Sequence, residues 1–525
     1  MVRTVLSVAE KPSVAKELAN IISNGSYNTR NGLSKYNKIF EIKQCEVQNK
    51  PCKMLMTSVL GHVMEMEFTQ QHKSWQGCNP EELFDAKIVK SVNSQSKECA
   101  KTIENEAKHC QVLMLWLDCD LEGENIAYEV IELCKKSNPR IEVLRARFSA
   151  LIPRDIFRTL RLPEQPNSNM NDAVNARQEI DLRLGAAFTR FLTLRCKNKY
   201  QELSNVSLFS YGPCQFPTLG FVVDRTIKIE KFIPESFWTL KCEIKKKVTD
   251  GSSGSNNSSS NNSSNSGSSV SLSFNWSRGN IYDRGTTVIL YDLCMKHINM
   301  STISDVRGNE SRKYRPAPMN TVSLQIKAST YCHISAEQTM KLAEEMYQRG
   351  ILSYPRTETD YFKDGFELLP IVEEHSQHSV WGGYVRDLLT NTNNAPNNPN
   401  NPNNPNNPNN NYINRFQWPK NGGHDDQAHP PIHPTKCVDL RELKSDQERQ
   451  LYELIVRHFL ACCSCDAVGN TTIIKMIIPT MLPPGTDTDT GRDTNPNPNG
   501  GHTVGETFTT SGTIIKAKNY LDIYK

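Results

Sequence analysis

The amino-acid sequence predicts a mixed, multidomain fold: an N-terminal α/β layer, mainly helical segments after it, and a β-rich portion. Three observations lead there. The chain has 525 residues, which at roughly 150 residues per domain implies three or four structural units. From Met1 to about Phe148, short apolar runs of strand character alternate with helical spacing, the pattern of helices packed on a parallel sheet. Three tracts lack core composition altogether: Gly251–Ser269 is almost pure Ser, Asn and Gly, Asn391–Asn411 repeats Asn-Asn-Pro, and Pro483–Gly501 is rich in Pro, Gly, Thr and Asn. Such tracts cannot bury enough apolar surface to order themselves, so they read as inserts in an otherwise ordinary chain.

Composition narrows the class. The 61 basic and 57 acidic residues leave a net charge of +4, which excludes a histone-like polycation and leaves room for local basic grooves. The 16 cysteines are scattered rather than framed, and the N-terminus carries no apolar signal region, so a reducing compartment is expected. No apolar run approaches the roughly 18–20 residues needed to cross a bilayer, and a soluble chain is expected.

Taken in order, Thr4–Ala9 reads as a strand and Lys11-Pro12-Ser13 leads into the helical run Val14–Ile22, with Pro12 where a first turn tolerates it. Val112–Leu117 is a buried-strand run, Asp118–Glu124 a turn, and Asn125–Lys135 a helix. Asp172–Lys199 is helical, and Ser210–Leu219 is a Gly/Pro-marked loop. Phe237–Glu243 and Val288–Leu293 favour strand, and a β-rich domain is expected around them. Ser335-Ala336-Glu337-Gln338 reads as a capping box, with a helix through Met340, Ala343, Met346 and Tyr347 that Gly350 ends. A further helix, Asp446–Cys463, precedes a final β-like stretch.

Four carboxylates, Glu10, Asp118, Asp120 and Glu122, fall at the carboxyl ends of two predicted strands, the edge where open α/β sheets place ligands. Like charges this close raise one another's pKa unless a cation joins them, and hard oxygens of this kind suit Mg²⁺. A solvated acidic turn would be the better reading of a lone Asp-x-Asp. The further Glu-Gly-Glu and the partner Glu10-Lys11 favour a site. The pattern resembles the toprim domain of topoisomerases, bacterial primases and some nucleases, all of which handle phosphodiesters.

Tyr354 lies just beyond a helix end and before a proline, which holds it extended, and Arg356 follows two residues later on the same side. A phenol is a poor nucleophile at neutral pH, so a neighbouring guanidinium would help it attack phosphorus. For an arbitrary Tyr-Pro-Arg, a packed tyrosine beside a surface arginine would be the better reading. Gly350–Thr359 resembles, however, the active-site segment of type IA topoisomerases. Ser7–Ser13, Asn31–Ile42, Leu115–Glu124, Arg145–Ser149, Asp181–Leu194, Ser210–Val223 and Asp426–Lys436 follow the same family in the same order. They are most similar to the eukaryotic topoisomerase III branch, and there to its alpha form.

The resemblance implies an N-terminal toprim domain over 1–153, a helical DNA-binding segment over 154–235, a β-rich arch over 236–315 and 446–525, and a tyrosine-bearing domain over 316–445, in the family's ring. It implies an ATP-independent, Mg²⁺-assisted enzyme that cuts one DNA strand through a 5′-phosphotyrosine, passes another and reseals, relaxing negative supercoils and resolving linked intermediates. Tyr354 would be the nucleophile, Arg356 would stabilise the phosphate, Glu10 would protonate the departing 3′ oxygen, and Lys11 would face the scissile phosphate. Asp118, Asp120 and Glu122, with Glu10, match the metal-binding acids. His429 matches a family histidine near the tyrosine, against the alternative of a loop histidine held by prolines. Arg177, Tyr211 and Gln215 match single-strand contacts, although Pro213 stands where many bacterial relatives have Arg. His62 reads equally as a structural histidine or a group near DNA. The resemblance also implies a nuclear location, a RecQ-type helicase and an OB-fold partner. The rival readings are a toprim nuclease or primase, and a truncated chain that only binds single-stranded DNA or partner proteins. The family's returning segment with Gly-Ile-Gly-Thr-Asp and its zinc-ribbon tail do not occur here, so a C-terminally truncated product or incomplete gene model is expected.

Two signals carry less. Cys462 and Cys465 form one Cys-x-x-Cys without a second pair, in an apolar helical context, and read as buried thiols. No Gly-x-x-x-x-Gly-Lys-Ser/Thr occurs, so no ATP motor is expected.

Overall fold

The computed structural model describes residues 3–34, 37–75, 77–203, 205–247, 269–389, 416–480 and 505–524. The tracts 391–411 and 483–501 lie outside the described residues, as does the expected disordered insert 251–269 apart from Ser269. The chain divides into two compact units, Met1–Ile227 with Arg315–Cys465 and Tyr520–Lys525, and Lys228–Tyr314 with Asp466–Asn519. The helix Asp446–Cys462 therefore belongs with the first unit, and the returning β segment begins at Asp466 rather than at 446.

The first unit is built on a six-stranded sheet. Its strands are β1 (Arg3–Ala9), β2 (Asn28–Asn31), β3 (Lys38–Val47), β4 (Lys50–Ser58), β7 (Val112–Trp116) and β8 (Glu142–Arg145), while β5 (Met64–Phe68) and β6 (Ile88–Val92) form a separate antiparallel pair. The order β2-β3-β4-β1-β7-β8 is parallel from β4 to β8 and antiparallel at β3 and β2. The expected parallel sheet is thus a mixed one, because the tight turn at Gln48 and Asn49, both at positive φ, folds β4 back on β3.

Both faces of β1 and β7 are covered, which is why they read as continuous apolar runs. Val5, Ala9, Val112, Met114 and Trp116 pack in one core with the helix Pro12–Ser23, while Leu6, Val8, Leu113, Leu115 and Leu117 pack in the other with the helices Lys97–Ala107 and Leu121–Ser137. The helix expected at Asn125–Lys135 starts earlier, at Leu121, because the Asp120 side chain caps it by accepting the Gly123 N–H at 2.7 Å. Glu122 and Glu124 therefore sit in a helical first turn. Gly123 is required there: a Cβ would lie 2.1 Å from the Asp118 carbonyl oxygen.

The tyrosine-bearing part of this unit starts from the helix Ala336–Gln348, whose Ser335 cap accepts the Gln338 N–H at 3.3 Å. Gly350 ends it at φ +65°, where an added Cβ would also meet the Leu151 carbonyl oxygen at 2.8 Å. The chain then runs extended through Tyr354, whose N–H donates to Ser149 at 3.1 Å, while Ser353 N–H donates to His433 at 3.0 Å. Tyr347 and Tyr354 are members of the same core as β1 and β7.

Three histidines of this unit, His375, His433 and His458, are buried and held neutral, burial pushing the first two down to about 4 and His458 to about 3. Unfolding frees them to titrate near 6.5, so the unfolded chain binds more protons below that pH. Their contribution to stability is complete above pH 6.5 and is lost as pH falls toward 4, by up to about 1.4 kcal/mol per pH unit for each. Urea midpoints should fall across this window. A midpoint that stays level between pH 6.5 and 4.5 would remove these histidines from the acid response.

The second unit is a five-stranded antiparallel sheet. It comprises β9 (Lys241–Lys247), β10 (Ser269–Trp276), β11 (Thr302–Lys313), β12 (Ala467–Pro479) and β13 (Gly505–Ala517), in the order β11-β12-β13-β10-β9. Phe274, Trp276, Met476, Ile478 and Phe508 form its core, and buried Glu506 accepts the Trp276 indole N–H at 2.7 Å. The segment Val288–Leu293, expected as strand, is part of the helix Arg284–Lys296. Asp283 caps that helix through the Gly285 and Thr286 N–H groups, and capping outweighs the β-branched residues that suggested a strand.

Candidate active site

The sheet order places two carboxylates side by side. β1 and β7 are neighbours with Ala9 opposite Trp116, so Glu10 and Asp118 emerge together at their carboxyl ends. The Asp118 N–H donates to Glu10 Oε2 at 3.2 Å, and Lys11 Nζ lies 3.5 Å from Glu10 and 3.9 Å from Asp118. Burial, followed by the Glu10 charge, pushes the Asp118 carboxyl well above the usual carboxylate range, against the opposing pull of Lys11. Burial alone would lower Lys11, but Glu10, Asp118 and Glu344 together raise it.

Tyr354 reaches this edge from the other end of the unit's sequence. Its hydroxyl donates to Asp120 Oδ2 at 2.6 Å across 234 residues of chain, and Tyr347 donates to Asp118 Oδ1 at 3.2 Å. The two tyrosine rings meet edge to face at 5.2 Å. Tyr354 is 3% exposed. Burial, with the Asp118 and Asp120 charges, holds its phenol far above its ordinary pKa, so the resting group is protonated. The His429 ring lies 4.3 Å from the Tyr354 ring. It is buried, neither ring nitrogen has a well-formed hydrogen bond, and burial pushes it down to about 4.

Arg356 is exposed and its guanidinium Nε bonds Glu344 at 2.7 Å, so it is paired with that carboxylate rather than with the tyrosine. Glu122 is also engaged, one oxygen 2.7 Å from Arg177 and the other 3.0 Å from His62. The second nitrogen of His62 lies 3.2 Å from Glu129, which is buried and further held by Lys90 and the Val63 and Met64 N–H groups. Of the two readings of His62, the geometry is that of a bridge between Glu122 and Glu129.

Tyr211 and Gln215 are not part of this cluster. Tyr211 packs between Phe188 at 4.8 Å and Phe216 at 4.7 Å, and its N–H donates to Thr189 at 2.9 Å. Thr189 lies twelve residues beyond Arg177 on the helix Ser168–Lys199, about 18 Å along its axis. Gln215 opens the helix Gln215–Glu230, so the expected loop Ser210–Leu219 becomes helical halfway, with Pro217 in the first helical turn, where a missing N–H costs no intrahelical bond. One helix thus links the acids to an aromatic patch.

Among the described residues no three His, Cys, Asp or Glu side chains stand converged on a metal position. Glu122 is turned to Arg177 and His62, and Asp120 holds Gly123 and Tyr354. The donor chemistry of Glu10, Asp118 and Asp120 nevertheless fits a hard divalent cation, since burial and then the Glu10 charge raise Asp118 and a cation would take the place of its proton.

Sequence reasoning missed Tyr347, Glu344, Glu129 and the role of Arg145. Only Arg145 had a signal, its place in the Arg145–Ser149 motif. It is fully buried, bonds Glu124 at 3.0 Å, and donates to the carbonyls of Leu117 at 2.9 Å and Asp118 at 2.7 Å, which shapes the acidic turn.

A family model described as DNA topoisomerase matches residues 165–525, and one described as Toprim domain matches residues 5–151. DNA topoisomerase 3-alpha of Arabidopsis thaliana is 42% identical over 99% of this chain and 50% of its own length. DNA topoisomerase 3-alpha of Homo sapiens is 39% identical over 100% and 45%, and DNA topoisomerase 3 of Saccharomyces cerevisiae is 33% identical over 99% and 75%. The chain spans about half the length of the first curated relatives it matches. The full-length topoisomerase I structure from Thermotoga maritima shares the fold, with a TM-score of 0.59 at 17% identity over 99% of this chain and 67% of that one. Two family models in the expected order, and relatives that align from end to end of it, show that this chain belongs to the type IA DNA topoisomerase family and begins with a Toprim domain.

Proposed function

We propose that this chain cleaves and rejoins one DNA strand through a 5′-phosphotyrosine at Tyr354, as an ATP-independent topoisomerase. The observation that carries the reading is the Tyr354 hydroxyl bonded to Asp120 at the sheet edge where Glu10, Lys11 and Asp118 meet. In the forward step a Tyr354 Oη–P bond forms and the P–O3′ bond breaks. The phenol proton leaves toward Asp120, already its hydrogen-bond acceptor, and Glu10 supplies a proton to the 3′ oxygen. Lys11 and Arg356, the latter released from Glu344, offset charge on the phosphate. Religation runs the same steps backward, and the phosphotyrosine keeps the energy of the ester. Glu10, Asp118 and Asp120 would hold Mg²⁺, joined by Glu122 only once it is released from Arg177 and His62, and the cation would supply positive charge among the carboxylates and to a nearby phosphate. A cavity of about 420 Å³ beside His429, lined by Arg154, Arg158 and Lys363 and equally by Asp155, Glu367 and Glu374, offers room near the tyrosine.

The test is incubation with labelled single-stranded DNA followed by denaturation. Protein-linked 5′ ends support the reading. Free ends alone indicate a toprim nuclease, and intact DNA indicates a chain that only binds. By family resemblance the work lies in the nucleus, with a RecQ-type helicase and an OB-fold protein as partners. Among the described residues no helix is long and apolar enough to cross a membrane.

Two further outcomes follow from the acids. Asp118→Asn with Asp120→Asn should weaken Mg²⁺-dependent cleavage far more than single-strand binding, because the cation rests mainly on those carboxylates. Equal loss of both at unchanged stability would assign them to folding. Arg177 is held by Glu122, and a DNA phosphate competes for the same guanidinium. Arg177→Ala should weaken oligonucleotide binding and lower its salt slope by about 1, while Mg²⁺ affinity by calorimetry stays level or rises as Glu122 is freed. A salt slope equal to that of the parent chain would remove Arg177 from the DNA path.

A further inference from the structure

The hairpin of β3 and β4 carries two cysteines that the DNA chemistry does not use. Cys45 and Cys52 are direct partners across the antiparallel pair, and their sulfurs lie 3.4 Å apart. Opposed residues in such a pair have Cα atoms about 4.5–5.5 Å apart, inside the 4.4–6.8 Å that a disulfide spans. Cys45 is half-buried and meets solvent, whereas Cys52 is buried behind it. The two-residue turn at Gln48 and Asn49 fixes the register, so the sulfurs are held together rather than meeting by chance.

We propose that Cys45 and Cys52 form a redox-reactive dithiol, closed to an intramolecular disulfide by peroxide and reopened by small thiols. Cys45, the accessible sulfur, attacks one peroxide oxygen. The O–O bond breaks, a water leaves, and Cys45 becomes a sulfenic acid. The Cys52 sulfur then displaces the sulfenic hydroxyl, which departs with the Cys52 proton as a second water while the S–S bond forms. Both sulfurs are oxidised and one peroxide is reduced. The closed loop is short, so the bridge adds somewhat less chain-entropy stabilisation than a longer loop would.

The test is independent of the topoisomerase reading. The full chain is treated with hydrogen peroxide, alkylated and digested with trypsin. Lys50 precedes a proline and resists cleavage, so both sulfurs stay in the peptide Gln44–Lys53. The expected result is loss of two hydrogens from that peptide, no alkylation, and full reversal by dithiothreitol. Cys45→Ser and, separately, Cys52→Ala should each abolish the mass change while circular dichroism stays the same. The proposal is overturned if the peptide keeps two alkylatable thiols while exposed Cys214 oxidises, or if either single variant leaves the peptide's mass change intact.

Discussion

Tyr354→Phe is expected to abolish protein-linked DNA, a loss on the order of 10⁴-fold or more, since the substitution removes the nucleophilic oxygen and nothing else. Binding of a single-stranded oligonucleotide should change little. The lost hydrogen bond to Asp120 is worth about 1.5–3 kcal/mol at most, because its acceptor is charged, and part of that returns when a buried phenol no longer faces two carboxylates. The assay pairs covalent trapping with a melting curve. If the Phe variant still yields protein-linked 5′ ends, Tyr354 is not the nucleophile and the phosphotyrosine reading fails. If cleavage persists without linkage, the acids act alone as a nuclease.

The second large effect is on stability. Arg145 is fully buried, and its guanidinium serves the Glu124 carboxylate and the carbonyls of Leu115, Leu117, Ala146 and Asp118 at once. Arg145→Met keeps the aliphatic stem but leaves Glu124 as a buried charge without its partner and four carbonyls without this donor. Breaking such a pair from one side costs about 3–5 kcal/mol, a large share of the roughly 5–15 kcal/mol that holds a domain together. The expected result is a marked fall in the urea midpoint of the first unit, partly restored by adding Glu124→Gln, which removes the stranded charge. A midpoint equal to the parent's would show that the turn at Asp118 does not depend on Arg145.

How much of the site was legible depended on whether its residues announce themselves locally. β1 and β7 were readable because both faces are buried and their apolar runs are unbroken. The cap at Ser335 and the stop at Gly350 were readable because capping and positive φ have narrow residue preferences. Val288–Leu293 was misread because β-branched residues favour strand, while the Asp283 cap that fixes the helix lies five residues upstream. The start of the helix at Leu121 was missed because one aspartate serves both as cap and as site carboxylate.

The sequence by itself determined the inventory: the acids after two strands, the extended tyrosine after a glycine-stopped helix, the low-complexity inserts and the resemblance to type IA topoisomerases. All of these depend on residue type and on spacing within a few positions. Only the tertiary structure decided the pairings. The adjacency of β1 and β7, the docking of Tyr354 on Ser149, the turning of Glu122 to Arg177 and His62, and the holding of Arg356 by Glu344 each join residues distant in the chain. Such contacts leave no local trace, because a carboxylate takes its partner from whatever cation the packed backbone brings within reach, and packing is a property of the whole unit.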